Sequence, residues 1–192
     1  MEDSMIEELI KKNRSYRRFD ENIKITEDQL RSWINLGRLS ASGANMQPLK
    51  YIISADQKLN EAIFPTLAWA GALKDWPGPA VGERPTAYII VLGDSTISKN
   101  VGVDHGIAAQ SILLGATEAG FGGCMIASIK KEALRKVLGL DEQYEIELVI
   151  ALGKPAEKVV ITDIPENGST KYWRDEQSTH FVPKRSLDDI IL

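Results

Sequence analysis

Residues 87–92, AYIIVL, form a nearly continuous apolar run. A strand that shows water on neither face reads this way, because its side chains alternate between two covered surfaces. Residues 146–152, IELVIAL, make a second buried strand, expected to stop at Gly153 and Pro155. Between them, 103–119 reads as a helix with a wide apolar face of Ile107, Ala108, Ile112, Leu113 and Ala116, closed by Gly120. Its many Ala and Gly residues suit tight packing, in the core or against a second subunit. Phe121-Gly122-Gly123-Cys124-Met125-Ile126 leads into a third strand, and Ser128 is placed to cap a helix over 131–137.

Toward the N-terminus, Ser4 and Glu7 have capping-box spacing, with Ile6, Leu9 and Ile10 as an apolar stripe behind them. That helix is expected to run to about Asn13 and deliver Arg14 at its end. Thr26 and Gln29 repeat the pattern ahead of Leu30, Trp33, Ile34 and Gly37; the glycine permits close helix packing. Residues 39–48, LSASGANMQP, are small or turn-forming and read as a loop. A short strand over 49–54 follows, and then a helix capped by Asp56 and ended near Pro65. Trp69 and Trp76 precede Pro77-Gly78-Pro79. This pairing fits either a lid over a pocket or plain core. From Ala156 onward the chain is polar and irregular, with Trp173, Phe181 and a closing Ile190-Ile191-Leu192. Such a tail either frays or lies across another surface, and the apolar residues favour a partner subunit.

At 192 residues, 43% of them hydrophobic, residues 1–192 are enough for one domain with a real core. A net charge of -4 argues against a general nucleic-acid binder. One cysteine rules out an internal disulfide framework and suits a reducing cytoplasm. The start, MEDSMIEEL, is acidic and does not read as a secretory signal. No apolar run approaches the roughly 20 residues of a membrane-spanning helix.

Against that acidic background stands Arg14-Ser15-Tyr16-Arg17-Arg18-Phe19. Guanidiniums and a hydroxyl packed this closely match a phosphate. A basic helix end that complements the helix dipole explains the same residues without a ligand. No G-x-G-x-x-G follows a strand and no Walker lysine occurs. His105 and His180 lack the spacing of a metal site, and His105 reads as a packed or capping residue. Cys124 has no basic neighbour in sequence to make it a nucleophile. With no acid–base or nucleophilic constellation, the hard chemistry falls to a bound cofactor.

Together these pieces resemble the FMN-dependent nitroreductases. Residues 14–19 look like that family's R-S-x-R-x-F element, and Ser42, Asn45, Gln47 and Pro48 match its A-P-S-x-x-N-x-Q-P loop. Asp104, Gly106, Ala108 and Gln110, running into Glu118, Gly120 and Gly122, resemble its D-x-G-x-A-x-Q…E-x-G-x-G segment. Residues 183–187, PKRSL, look like its basic C-terminal motif. Four matches in the expected order span nearly the whole chain.

The resemblance implies an α+β fold: a central mixed β-sheet flanked by helices, in an intertwined homodimer. Residues 156–192 would be an arm extending onto the partner, and FMN would lie at the interface. Arg14, Ser15 and Arg17 would hold its phosphate, helped by Lys184 or Arg185. Ser42 and Asn45 would reach the flavin from the other subunit. Met125, Ile126, Ala127 and Ser128 would pass the ring, with a backbone N–H toward N5. NADH or NADPH would reduce the flavin, and a small conjugated acceptor, a nitro compound or quinone, would reoxidise it. No side chain would be catalytic, since flavin N5 carries the chemistry, and no metal is needed. Ala41 replaces the family's usual proline, Leu49 an aromatic residue, and Ala127-Ser128 a Glu-Gly pair found in some members. These departures bear on substrate choice. A flavin carrier or redox sensor, or a flavin reaction other than nitro reduction, is the alternative.

Overall fold

The computed structural model describes residues 4–166 and 168–192. In chain order the helices are α1 (Met5–Lys12), α2 (Glu27–Arg38), α3 (Gln57–Ile63), α4 (Asp104–Glu118) and α5 (Lys131–Leu138). The strands are β1 (Phe19–Asp20), β2 (Leu49–Ser54), β3 (Ala87–Asp94), β4 (Gly122–Ile126) and β5 (Tyr144–Pro155), followed by β6 (Val159–Asp163), β7 (Trp173–Arg174) and β8 (His180–Lys184).

The architecture is α+β, as expected, and β5 is its hub. It pairs with β1, β3 and β4, while β2 pairs with β3. All these ladders are antiparallel. Parallel pairing enters outside them, between β6 and β8 and at a Ser15–Gly123 bridge. The apolar run of β3 is explained by its two faces. Ile89 and Val91 pack with Leu30 and Trp33 of α2 and with Ala109, Ile112 and Ala116 of α4. Tyr88, Ile90 and Leu92 pack with Ile63 of α3 and Leu134 of α5. In β5 the register skips Glu147: Val91 pairs Leu148 and Leu92 pairs Ile146. This bulge carries Ile146 to the α3/α5 face, although it has the parity of Leu148 and Ile150 on the other.

The caps at Ser4, Thr26 and Asp56 form as expected, each accepting a backbone N–H from the first turn of its helix. Gly37 packs beside Ile112, where an added Cβ would lie 3.0 Å from its Cγ1. Among the described residues no helix is long and apolar enough to cross a membrane.

Three expectations are corrected. Ser128 does not cap α5; its N-cap is Lys130, without a side-chain bond. Ser128 O instead accepts Ala68 N–H at 2.9 Å. Strand β5 does not stop at Gly153 but runs through it and ends at Pro155, so only the second of the two expected stops acts as one. Gly153 leaves room for the buried ring of Phe19, and Pro155 ends the strand opposite Phe19. The stretch after Ala156 is not irregular: β6, β8 and β7 form a three-stranded sheet. Its strands are too short and too half-exposed to show an apolar period. Ring stacking of Trp173 on Phe181, centroids 5.2 Å apart, helps hold it together.

Candidate functional site

The basic stretch begins where α1 ends. Asn13 closes the helix through its N–H to Leu9 O, and its side chain reaches Gln110 of α4 at 3.4 Å. Arg14 turns back, and Nη2 donates to Ile10 O at 2.7 Å. The helix-end reading therefore holds at Arg14, although its Nε is buried with no acceptor among the described residues. The chain then lies along β4, where Tyr16 N–H donates to Gly123 O at 3.0 Å.

Arg17 donates Nη1 to Ser15 O at 3.1 Å, and its guanidinium lies 5.0 Å from the Tyr172 ring centre. Arg18 turns away from Arg17 and forks onto Glu83: Nε donates to Oε2 at 2.9 Å, and Nη2 bonds Oε1. The two neighbouring arginines thus have different tasks.

Arg17 opens onto a cleft of about 220 Å³, lined also by Trp69, Cys124, Met125, Ile126, Ala127, Ser128 and Tyr172. The structure therefore gathers five of the expected cofactor residues, Arg17 and 125–128, around one space. Trp69 is a wall of it, packed against Phe64 and Gly78, with its buried Nε1 unpartnered among the described residues. Trp76 lies elsewhere, under the Arg174 guanidinium at 4.3 Å. Opposite the strand, Tyr172 stacks on His180 at 5.1 Å, and its hydroxyl accepts Ala72 N–H at 3.3 Å. Cys124 lies close enough to Arg17 to feel its charge, yet burial dominates and pushes the thiol up. It stays protonated and inert.

Ser42 and Asn45 are not in this cleft. Ser42 Oγ donates to Asp104 Oδ2 at 2.5 Å and accepts Gln47 N–H at 2.9 Å, while Gly43 N–H donates to Asp104 Oδ1 at 2.9 Å. Asp104 so ties the loop to the start of α4. The loop needs that tie, because Ala44, Asn45 and Gln47 all take positive φ of 48, 55 and 52°. Ser42 lines a second cleft of about 140 Å³, with Gln47, Tyr51 and Asp104. Lys184 ends β8 opposite Asp163, and neither it nor Arg185 lines the cleft of Arg17.

Sequence reasoning missed Glu157, Tyr172 and His180, which meet behind Arg17. His180 is fully buried, and neither ring nitrogen has a hydrogen bond among the described residues. Burial first, then the charges of Arg17 and Arg174, hold its pKa down to about 4, against the pull of Glu157. An unfolded histidine titrates near 6.5, so between these values the unfolded chain binds more protons. This contribution to stability is complete above about pH 6.5 and is lost as pH falls toward 4, at up to roughly 1.4 kcal/mol per pH unit. His180→Phe keeps a ring and removes the titration. Thermal melts from pH 7 to 4.5 should therefore fall more steeply for the parent than for the variant, and parallel slopes would refute the assignment.

Comparison with known proteins bears on this arrangement. The Nitroreductase family model matches residues 10–154. MhqN of Bacillus subtilis, provisionally named an NAD(P)H nitroreductase, is 24% identical, covering 76% of this chain and 86% of its own. A protein from Desulfovibrio desulfuricans, provisionally classed as a nitroreductase and solved with FMN, has a TM-score of 0.71 and 23% identity. That match covers 99% of this chain and 96% of the other. An FMN-dependent nitroreductase from Clostridium difficile has a TM-score of 0.64 at 20% identity, covering 78% and 87%. The α+β fold and the match over most of the chain define a nitroreductase-type protein. The chain belongs to the nitroreductase family.

Proposed function

We propose that the chain is an FMN-dependent oxidoreductase that uses NAD(P)H to reduce a small conjugated acceptor. The observation that carries this reading is the convergence of Arg17 and residues 124–128 on one cleft with aromatic walls. The residues present fit the cofactor. Arg14 has a buried donor without an acceptor among the described residues, Ser15 is exposed, and Arg17 presents a fork; a terminal phosphate would supply what these groups lack. Trp69 and Tyr172 offer flat apolar surface for a ring system and keep water from its edge. Residues 125–128 line the same cleft, from which a backbone N–H would reach flavin N5. No dinucleotide fingerprint is present to receive an AMP half, which favours FMN over FAD. Bound there, a flavin would supply hydride chemistry at N5 between NADH or NADPH and a nitro compound or quinone.

A homodimer belongs to the same reading. Ser42 and Asn45 lie away from the cleft of their own chain, so a second copy is the route by which they reach the ring. The same holds for Lys184 and Arg185 at the phosphate. Helix α1 buries none of its residues, and Ile6, Leu9, Leu36, Leu39 and Leu114 line a shallow apolar groove. Leu187, Ile190 and Ile191 are exposed beyond β8. Both surfaces suit burial against a partner. The single free cysteine fits a reducing cytoplasmic setting.

The protein as purified should be yellow, release FMN on extraction, sediment as a dimer, and bleach with NADH or NADPH until an acceptor restores the colour. Extracted FAD, or no uptake after reconstitution with FMN, would overturn the reading. Bound FMN that never bleaches would make the protein a carrier.

A further inference from the structure

Glu157 lies two residues beyond the end of β5, and its side chain is only 1% exposed. A carboxylate this buried persists where several donors meet it. Oε1 accepts the backbone N–H of Arg17 at 2.5 Å and that of Arg18 at 3.2 Å. Oε2 accepts Arg174 Nη2 at 2.7 Å and faces His180 Nδ1 at 3.9 Å. One oxygen therefore holds the basic turn, and the other holds the C-terminal sheet. Two successive amides drawn to one oxygen fix the backbone at Arg17 and Arg18. From that fixed point the side chains part, Arg18 to Glu83 and Arg17 to the cleft.

We propose that Glu157 is a positioning residue: through the Arg17 amide it aims the Arg17 guanidinium at the cofactor phosphate. This rests on the FMN reading above. Arg174 bonds the other oxygen from the β7 side and takes no part in the two amide bonds. An ion pair that merely stabilised the fold would leave the phosphate no different from the rest of the flavin.

That difference can be measured with two ligands. FMN carries the phosphate and riboflavin does not. Apo-protein of full length is titrated with each, for the parent, Glu157→Gln, Glu157→Asp and Arg174→Met. Glutamine keeps the size but has one acceptor oxygen, so it cannot serve the two amides and Arg174 together. In Glu157→Gln the FMN dissociation constant should rise roughly tenfold, with riboflavin changing less than about twofold. Glu157→Asp, which keeps the charge on a shorter arm, should fall between, and it carries the test if the glutamine variant does not fold. Arg174→Met leaves both amide bonds in place and should retain the preference for FMN. A parent that prefers FMN, with folded Glu157 variants that keep that preference or lose affinity for both flavins equally, would overturn this proposal alone. A parent that binds neither flavin, or shows no preference, would overturn the FMN reading and this proposal with it.

Discussion

Arg17→Ala should raise the FMN dissociation constant about tenfold to a hundredfold. A charge-assisted hydrogen bond contributes roughly 1.5–3 kcal/mol, and each 1.4 kcal/mol is a factor of ten. Arg17→Lys should also weaken binding despite keeping the charge, because an ammonium offers a point charge in place of a planar fork. Arg18→Ala is the control. Its guanidinium is committed to Glu83, so its loss should lower stability slightly and leave FMN affinity nearly intact. Quenching of flavin fluorescence during titration of apo-protein measures all three. Small and equal effects at Arg17 and Arg18 would leave the stretch with its helix-end role alone, the role Arg14 already fills.

The two apolar strands were legible because each is covered on both faces, and continuous hydrophobicity is what double burial looks like. Helix starts were legible where Ser4, Thr26 and Asp56 carry the cap in their own side chains. Helix α5 has no such side chain, and Ser128, the nearest serine, stands two residues short of its N-cap, Lys130. The C-terminal sheet was not legible at all. Beyond its backbone ladders it is tied down by one buried carboxylate and a few stacked rings, and neither leaves a period in the sequence.

The site divides in the same way. Arg17 and residues 125–128 could be read as motifs, since each is a local run with its own chemistry. Glu157 could not, because a lone Glu after Pro155-Ala156 looks like any solvated surface residue until the fold closes over it. The loop of Ser42 and Asn45 is legible from its small residues, although it holds a short 3-10 turn at Gly43–Asn45, but the tie of Ser42 to Asp104 depends on a contact across 62 positions. Cys124 was set aside for want of a basic neighbour in sequence. The fold supplies one in Arg17, and burial keeps the thiol inert regardless.

Gly123→Ala should be strongly destabilising, because Gly123 is where the sheet and the basic turn meet. A Cβ built there lies 2.5 Å from Ala151 O, 2.8 Å from Leu113 Cδ2 and 2.9 Å from Leu152 Cδ2. The leucines can adjust a little, but the carbonyl belongs to β5, which β4 pairs with through Cys124–Ala151. Relief therefore requires β4 to move off its neighbour, and overpacking of this kind costs about 1–3 kcal/mol. For a chain of this length that is a fall of about 2–12 °C in Tm. The displacement should also carry to the ligand, since Gly123 O accepts Tyr16 N–H and fixes the turn from which Arg17 projects. Gly106→Ala provides the contrast. A Cβ there meets nothing within 4 Å, and the position is an exposed turn of α4, so alanine should be neutral or stabilise by about 0.5–1 kcal/mol. Melting curves of the flavin-free proteins at one concentration should thus order Gly106→Ala at or above the parent and Gly123→Ala well below it. A Gly123→Ala protein that melts with the parent would mean that β4 yields at no cost, and that it does not hold the basic turn in place.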